Sequence, residues 1–551
     1  MGKLIKNNAP ATIAARRWQD VVERIIVSII SVLVFLAFGF VALMSIFQTS
    51  EIDPNAYINE HILYQGDNVL LNLMLMAIIF AVIFLCRRYY DFFARVNMRV
   101  MEIALVLYVL ILGLIWVLNV QCVPAADSAN VFEAATGAAQ DNYTGLTSNA
   151  LFYNHDYYGN NSYFLFYPFQ LGFVFICEMI YRVFGVSTAI PLEVINVICL
   201  SLAYLGIAKI TKLLFERKAI EFIAIVMMIG CLQPILFTPF PYGNIMGMSL
   251  AIWASYFLIR YMKSDRWLML IPSGILLVFA TLAKYNNMIY LVAFGIVLLI
   301  HAIKEKKWQS IAFILIASVC VVGASKLVIL SYENRSGEQY GSGVSQTLYL
   351  DVGLQESYMA PGWYTDIGMR TFMNNGFDTN AANAAAKMDI QNRLDALSAD
   401  TSKGYDFFSK KILSQWNETT YESVWVSKVK RHYNTDTPTG IVSDIYDSDL
   451  GKFLGGYFDL YMQMLFFLFA YGIIALMIRK KTDICKILLP LILYGAFLYH
   501  LLFEGKSQYI LTYIILLIPF AAWGALDLMD SKVNFIPVRK NRKTYGKKKK
   551  V

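Results

Sequence analysis

The chain has 551 residues, is 58% hydrophobic and 16% charged, and carries a formal charge of +8. Its mean hydropathy of +0.52 lies outside the soluble range and fits a polytopic membrane protein. The basic residues are sorted by side of the membrane, so the positive balance reports topology and not nucleic-acid binding.

Arg16, Arg17 and Arg24 precede an apolar run at 25–47. At about 23 residues it is long enough to span a bilayer and to be retained rather than cleaved. Further runs of spanning length follow at 69–86, 101–120, 189–208, 219–237, 245–262, 267–283, 288–303, 309–330, 456–478, 487–503 and 509–528. A thirteenth run, 163–185, is ambiguous, and charge parity resolves it. If it does not cross, 32 of the 47 Lys and Arg fall on one side, and the short opposite loops 48–68 and 121–162 have none. If it crosses, Lys304, Lys306, Lys307 and the tail KNRKTYGKKKK flip to the outside. The positive-inside rule prefers the first arrangement. Both termini are then cytoplasmic, and 163–185, with Pro168, Gln170, Glu178 and Arg182, lies along or re-enters the outer surface of the plasma membrane.

The expected organisation is all-α. An N-terminal membrane module at 1–330 carries an outer loop at 121–188. An extracytoplasmic lobe follows at 331–455, with a helical pattern at 380–397, and its modest apolar content implies packing on the membrane domain. C-terminal membrane helices at 456–530 and a basic cytoplasmic tail at 531–551 complete the chain. The seven Cys show no metal or redox spacing and read mostly as buried thiols; Cys122 and Cys177 could meet outside as a disulfide. Four N-x-S/T sequons, at Asn142, Asn160, Asn334 and Asn417, fall outside and are expected to be chance occurrences in Asn-rich loops.

Four outer clusters bring carboxylates and cations to one surface. Asp127 and Glu133 stand in a stretch, 121–172, that holds no Lys or Arg. Tyr167, Gln170 and Arg182 lie on the interfacial segment. Tyr242, Asn244, Lys284 and Asn286 occupy tight turns between spans, and Glu504, Lys506 and Gln508 open the last span. This set suits transfer of a sugar from a lipid phosphate. A carboxylate takes the proton of the attacking hydroxyl, cations meet the anionic leaving group, and direct displacement inverts the anomeric carbon. Tyr153, Tyr157 and Tyr158 could stack on sugar faces. Each residue also has a plainer reading. Asp127 and Ser128 could cap a helix starting near Ala129, Lys284 could snorkel, the tyrosines could form an interfacial belt, and Glu504 could simply pair with Lys506. No GxGxxG, Walker, HExxH or zinc spacing is present.

The pieces ADSANVFEAA, YPFQLG, PYGNI, LAKYNNMIYLVA and EGKSQY, in that order, resemble the GT-C superfamily of membrane glycosyltransferases. The likeness is to its protein O-mannosyltransferase and aminoarabinose-transferase group and its bacterial envelope-modifying members. APGWYTDIGM and KKILSQWNE look like the late outer loop of members that decorate cell-wall polysaccharides or teichoic acids. The resemblance implies a catalytic acid at Asp127, a juxtamembrane helix after it, and a polyprenyl-phosphate sugar as donor, with Lys284 and also Lys506 or Arg182 on its phosphate. No further cofactor is implied, and no metal is expected, because Asn244 argues against a metal-binding acid pair. The sequence departs from the pattern in three places. The catalytic loop follows the third span and not the first, so two spans read as an N-terminal addition. Asn244 stands where a second acid is common, and Gln508 where a basic residue is common. The rival readings are a flippase or transporter, and a polysaccharide polymerase or ligase, for which Arg370, Arg393, Arg431 and His432 supply the expected loop cations.

Overall fold

The computed structural model describes residues 9–56, 59–120, 122–148, 161–185, 188–432, 445 and 448–530. Tyr153, Tyr157, Tyr158, Asn160 and the basic tail lie outside the described residues. The chain is a helical bundle with a helical lobe on one end, and among the described residues the one small sheet is a two-stranded hairpin.

Helix α1 (Ala9–Met44) leads into the antiparallel hairpin β1 (Gln48–Ile52) and β2 (Ile62–Gly66), and α2 (Val69–Leu85) returns. After α3 (Met98–Val120) come α4 (Asp127–Ala139) and α5 (Leu171–Phe184). The middle of the bundle is α6 (Ile190–Phe215), α7 (Lys218–Gly230), α8 (Asn244–Ser264), α9 (Leu270–Ala283), α10 (Met288–Glu305) and α11 (Trp308–Ser336). The lobe holds α12 (Gln346–Leu354), α13 (Ile367–Asn374), α14 (Thr379–Ala399), α15 (Thr401–Trp416) and α16 (Ser423–His432). Then α17 (Asp449–Ile478), α18 (Ile484–Leu502), α19 (Ser507–Ile514) and α20 (Ile518–Asp530) re-enter the bundle.

Ten helices among the described residues are long and apolar enough to cross a bilayer. The two further runs expected at 219–237 and 267–283 are shorter helices for local reasons. The first stops at Gly230, and a one-turn helix with Pro234 in its opening turn follows; a proline there lacks the N–H that a continued helix would need. The second is a 17-residue segment, Trp267–Ala283. The ambiguous run 163–185 is not a span of this kind. It breaks at Tyr167–Pro168 into a one-turn helix, a 3₁₀ turn and the 14-residue α5. The last span, Ser507–Asp530, is buried for most of its length at the centre of the bundle, whereas Val69–Tyr89 is exposed almost all round. A span that is apolar on every side and unburied belongs against lipid.

Within the lobe, Asp378 and Asp400 accept backbone N–H bonds at the starts of α14 and α15, which satisfies donors that every helix start leaves open. The helical pattern at 380–397 is thus realised as α14. Trp363 and Trp416 are fully buried, and Phe38 of α1 meets the Trp416 ring edge-on at 5.0 Å, so the lobe shares its core with the membrane helices. Cys122 and Cys177 are both free thiols. Asn417 is buried with its side-chain amide on the Gln48 carbonyl, which leaves that sequon no surface to present.

Candidate active site

One cavity of about 420 Å³ opens at the lobe end of the bundle, within the range of small-molecule sites. Its walls come from each of the segments that charge parity puts on one side: the hairpin loop, the Asp127 loop, the segment before α5, the turns at 240–242 and 284–286, the lobe and the start of α19.

Asp127 reaches it through a strained turn. Ala126 holds φ 49° and ψ −131°, a region that a residue with a Cβ enters at a cost of about 1–3 kcal/mol. Ser128 fixes the turn: its hydroxyl donates to the Ala125 carbonyl at 2.7 Å and accepts the Ala125 N–H at 3.0 Å. The helix begins at Asp127 itself, with no side-chain cap, so the capping role open to Asp127 in the sequence is not the one it plays. Its carboxylate is exposed to the cavity and makes no side-chain hydrogen bond or ion pair with the described residues.

Lys284 stands at the break between α9 and α10, in extended backbone. Two glycines allow this turn to sit against α8. A Cβ on Gly243 would fall 1.9 Å from the Ala283 carbonyl oxygen, and one on Gly247 would fall 2.5 Å from Asn287 Nδ2. Asn287 closes the turn by donating to the carbonyls of Ala280 and Lys284. The Lys284 ammonium therefore lies 4.2 Å over the Tyr242 ring and 5.2 Å from that of Tyr509. It makes no ion pair with the described residues. Burial pulls its pKa down to about 8, against the attraction of Asp127 and Glu504. Tyr242 is held in turn by the side-chain amide of Gln170, which donates to its hydroxyl, and Asn196 of α6 donates to the carbonyls of Thr238 and Phe240 to pin the whole turn.

The loop before α19 is fastened to the lobe by backbone bonds, Glu504 N–H to the Tyr349 carbonyl at 3.1 Å and Gly505 N–H to that of Gly362 at 3.0 Å. Lys411, fully buried, donates to the carbonyls of Gly353 and Phe503. Glu504 accepts from the Tyr509 hydroxyl at 3.1 Å, and burial raises its pKa. Lys506 is paired with Glu60 of the hairpin loop at 2.9 Å, both nearly buried. Burial opposes the Lys506 charge, but Glu60 and Glu422 outweigh it and raise its pKa. Glu422 accepts from the Ser507 hydroxyl and the Gln508 N–H, each at 3.2 Å, and burial, with Glu60, pushes its carboxyl up to about 8.

The structure thus brings together Asp127, Tyr167, Gln170, Tyr242, Lys284, Asn286, Glu504, Lys506 and Gln508 on one cavity. Asn244 stands behind its wall, donating to the Gln508 carbonyl at 3.3 Å. Two expected residues lie elsewhere. Glu133 packs against Gly145 on the far part of α4. Arg182 is committed to Asp141 at 2.7 Å, Glu178 at 3.0 Å and the Ala138 carbonyl at 2.8 Å. Glu178 is nearly fully buried, and although burial pushes its carboxyl up, bonds from Arg335, Tyr332 and Arg182 hold it below the usual range. This cluster ties α5 to α11 and offers no free cation to a donor phosphate. Lys506 lines the cavity with its ammonium on Glu60. Glu60, Tyr349, Trp425 and Tyr499 line the cavity without a signal in the sequence, whereas Tyr509 is the final residue of EGKSQY. Among the described residues no three His, Cys, Asp or Glu side chains gather as a metal-ligand group.

Residues 170–329 match the family described as dolichyl-phosphate-mannose-protein mannosyltransferase. The chain's resemblance to GT-C membrane glycosyltransferases holds over that stretch, which includes Gln170, Tyr242 and Lys284. No curated protein matches the chain. Among solved structures it is similar to the archaeal oligosaccharyltransferase AglB of Archaeoglobus fulgidus in complex with an inhibitory peptide and a dolichol-phosphate, at 13% identity and a TM-score of 0.38, over 77% of this chain and 50% of that one. An Archaeoglobus fulgidus oligosaccharyltransferase tethered to an acceptor peptide gives 14% identity and a TM-score of 0.37, over 77% and 49%. The chain spans about half the length of these structures.

Proposed function

We propose that this protein transfers a sugar from a polyprenyl phosphate to a cell-envelope glycan, teichoic acid or lipid-linked acceptor. Transfer takes place at the extracytoplasmic face of a bacterial plasma membrane, with both termini of the chain in the cytoplasm and inversion at the anomeric carbon. The observation that carries this reading is the meeting, in one cavity, of a carboxylate, Asp127, and a half-buried cation, Lys284, neither of which makes an ion pair with the described residues.

Asp127 accepts the proton of the acceptor hydroxyl as its oxygen attacks the anomeric carbon. The bond from that carbon to the phosphate oxygen breaks, and the electron pair leaves on the phosphate. The new negative charge is met by Lys284, whose ammonium is already desolvated and held by Tyr242 and Tyr509, so little reorganisation accompanies the step. The description of the matching family, with its mannose carried on dolichyl phosphate, supports a donor of this class. Glu60 keeps Lys506 neutralised and out of competition with Lys284 for the phosphate.

The test is Asp127→Asn in the purified full-length protein. Transfer is expected to fall by about 10²–10⁴-fold, the usual contribution of a positioned general base, while polyprenyl phosphate still binds. Normal turnover in this variant removes Asp127 as the base. In cells, loss of one envelope sugar that wild type restores and Asp127→Asn does not would identify the transferred group.

A further inference from the structure

A second cavity, of about 490 Å³, lies between β2, α14 and α15 of the lobe. Only a thin wall separates it from the first. Ile62 N–H donates to the Met359 carbonyl at 2.9 Å, His61 Nδ1 lies 2.6 Å from the Tyr358 carbonyl, and the Met359 side of this contact lines both cavities. His61 directly follows Glu60, so one loop of the hairpin serves the two.

The lining has a particular chemistry. Tyr64 and Tyr358 line it, Tyr358 being 60% exposed, and Phe407, 2% exposed, lies beneath the Arg393 guanidinium. Its charges are Arg393 with Glu356 at 2.7 Å, Lys410 with Asp406 at 2.8 Å, and Lys403, which is 3.5 Å from Asp400 just outside the lining. Arg393 is also oriented by the Leu354 carbonyl at 2.8 Å and by the Phe407 ring at 4.8 Å. Such a wall presents fixed donors and acceptors with little net charge beside flat apolar faces. An anionic polymer would meet the exposed carboxylates of Glu356 and Asp406 as well as Lys403 and Lys410, so no one sign of charge is favoured, whereas sugar hydroxyls can bridge each pair and the C–H face of a ring can lie on an aromatic one.

We propose that this cavity is an acceptor subsite for an uncharged glycan chain, whose reacting end extends past Met359 to Asp127. The proposal rests on the glycosyl-transfer reading and gives its acceptor a chemical class. It predicts that a single sugar is a poor acceptor, because it cannot occupy both cavities.

The experiment uses the full-length protein in lipid nanodiscs. The probes are neutral oligosaccharides of one to six sugars prepared from the envelope polysaccharide of the native host, and anionic fragments of the same lengths. Saturation-transfer NMR reads affinity for wild type, Tyr358→Ala, Glu356→Gln and Asp127→Asn. Affinity for the neutral series is expected to rise with length. Tyr358→Ala is expected to weaken the longest probes about five- to tenfold and the single sugar hardly at all. Glu356→Gln weakens the longer probes. No binding to wild type, affinity independent of length, equal affinity in Tyr358→Ala and Glu356→Gln, or preference for the anionic series overturns the proposal. If Tyr358→Ala loses binding while Asp127→Asn transfers sugar normally, the subsite stands and the catalytic assignment falls. If Asp127→Asn abolishes transfer and the lobe variants bind normally, the reverse holds.

Discussion

Replacing Lys284 by methionine separates donor binding from folding. The side chain is half-buried and makes no ion pair with the described residues, resting instead on Tyr242 and Tyr509. Methionine fills much the same volume, and exchanging a buried charge for an apolar group seldom destabilises. The lost cation–π contact, worth about 0.5–2 kcal/mol, is offset by the charge that no longer has to be desolvated. Binding of a phosphate behaves differently. Two unit charges 4 Å apart at an effective dielectric of 20 attract by about 4 kcal/mol. Asp127 and Glu504 already draw on the same ammonium, so about 2–3 kcal/mol is the expected share, or roughly 30- to 150-fold in affinity. The pH dependence gives a second signature. Burial sets the Lys284 pKa at about 8, so the charged form needed by the phosphate is present below that pH and is lost above it. Wild-type affinity for a polyprenyl phosphate in nanodiscs should fall as pH rises through about 8, and Lys284→Met should be both weak and flat over that interval. An affinity within threefold of wild type, or an unchanged pH profile, refutes the assignment of the phosphate to Lys284.

Other residues give independent checks. Glu60→Gln leaves Lys506 buried with only Glu422 and Glu504 nearby, and should cost about 2–3 kcal/mol of stability, somewhat less than complete loss of a buried partner; the double variant Glu60→Gln with Lys506→Gln should recover most of it in a thermal melt. Gly243→Ala drives a methyl group into the Ala283 carbonyl and should displace the Lys284 turn, seen as loss of transfer in a variant that still assembles in the membrane. A reporter fused after Arg182 should read extracytoplasmic, and a cytoplasmic signal would break the assignment of 163–185 to the outer surface.

What the sequence determined by itself was the membrane class, the runs that become helices, and which loops share one end of the bundle. These follow from composition and from the cost of placing Lys and Arg on the wrong side, quantities that need no contacts. Charge parity kept 163–185 out of the count of spans, and the break at Tyr167–Pro168 is the local reason. Asp127 stood out because its loop has no basic residue, and Lys284 because a lysine between two apolar helices is costly. Partnership was decided only by the tertiary structure. Arg182 and Lys506 look alike in sequence as free outer cations, yet Arg182 is taken by Glu178 and Asp141 and Lys506 by Glu60, 446 residues away. Whether a buried charge is available to a substrate depends on which opposite charge folding brings within about 4 Å of it. That distance is set by the packing of the hairpin, the lobe and the final helix, and no spacing along the chain encodes it.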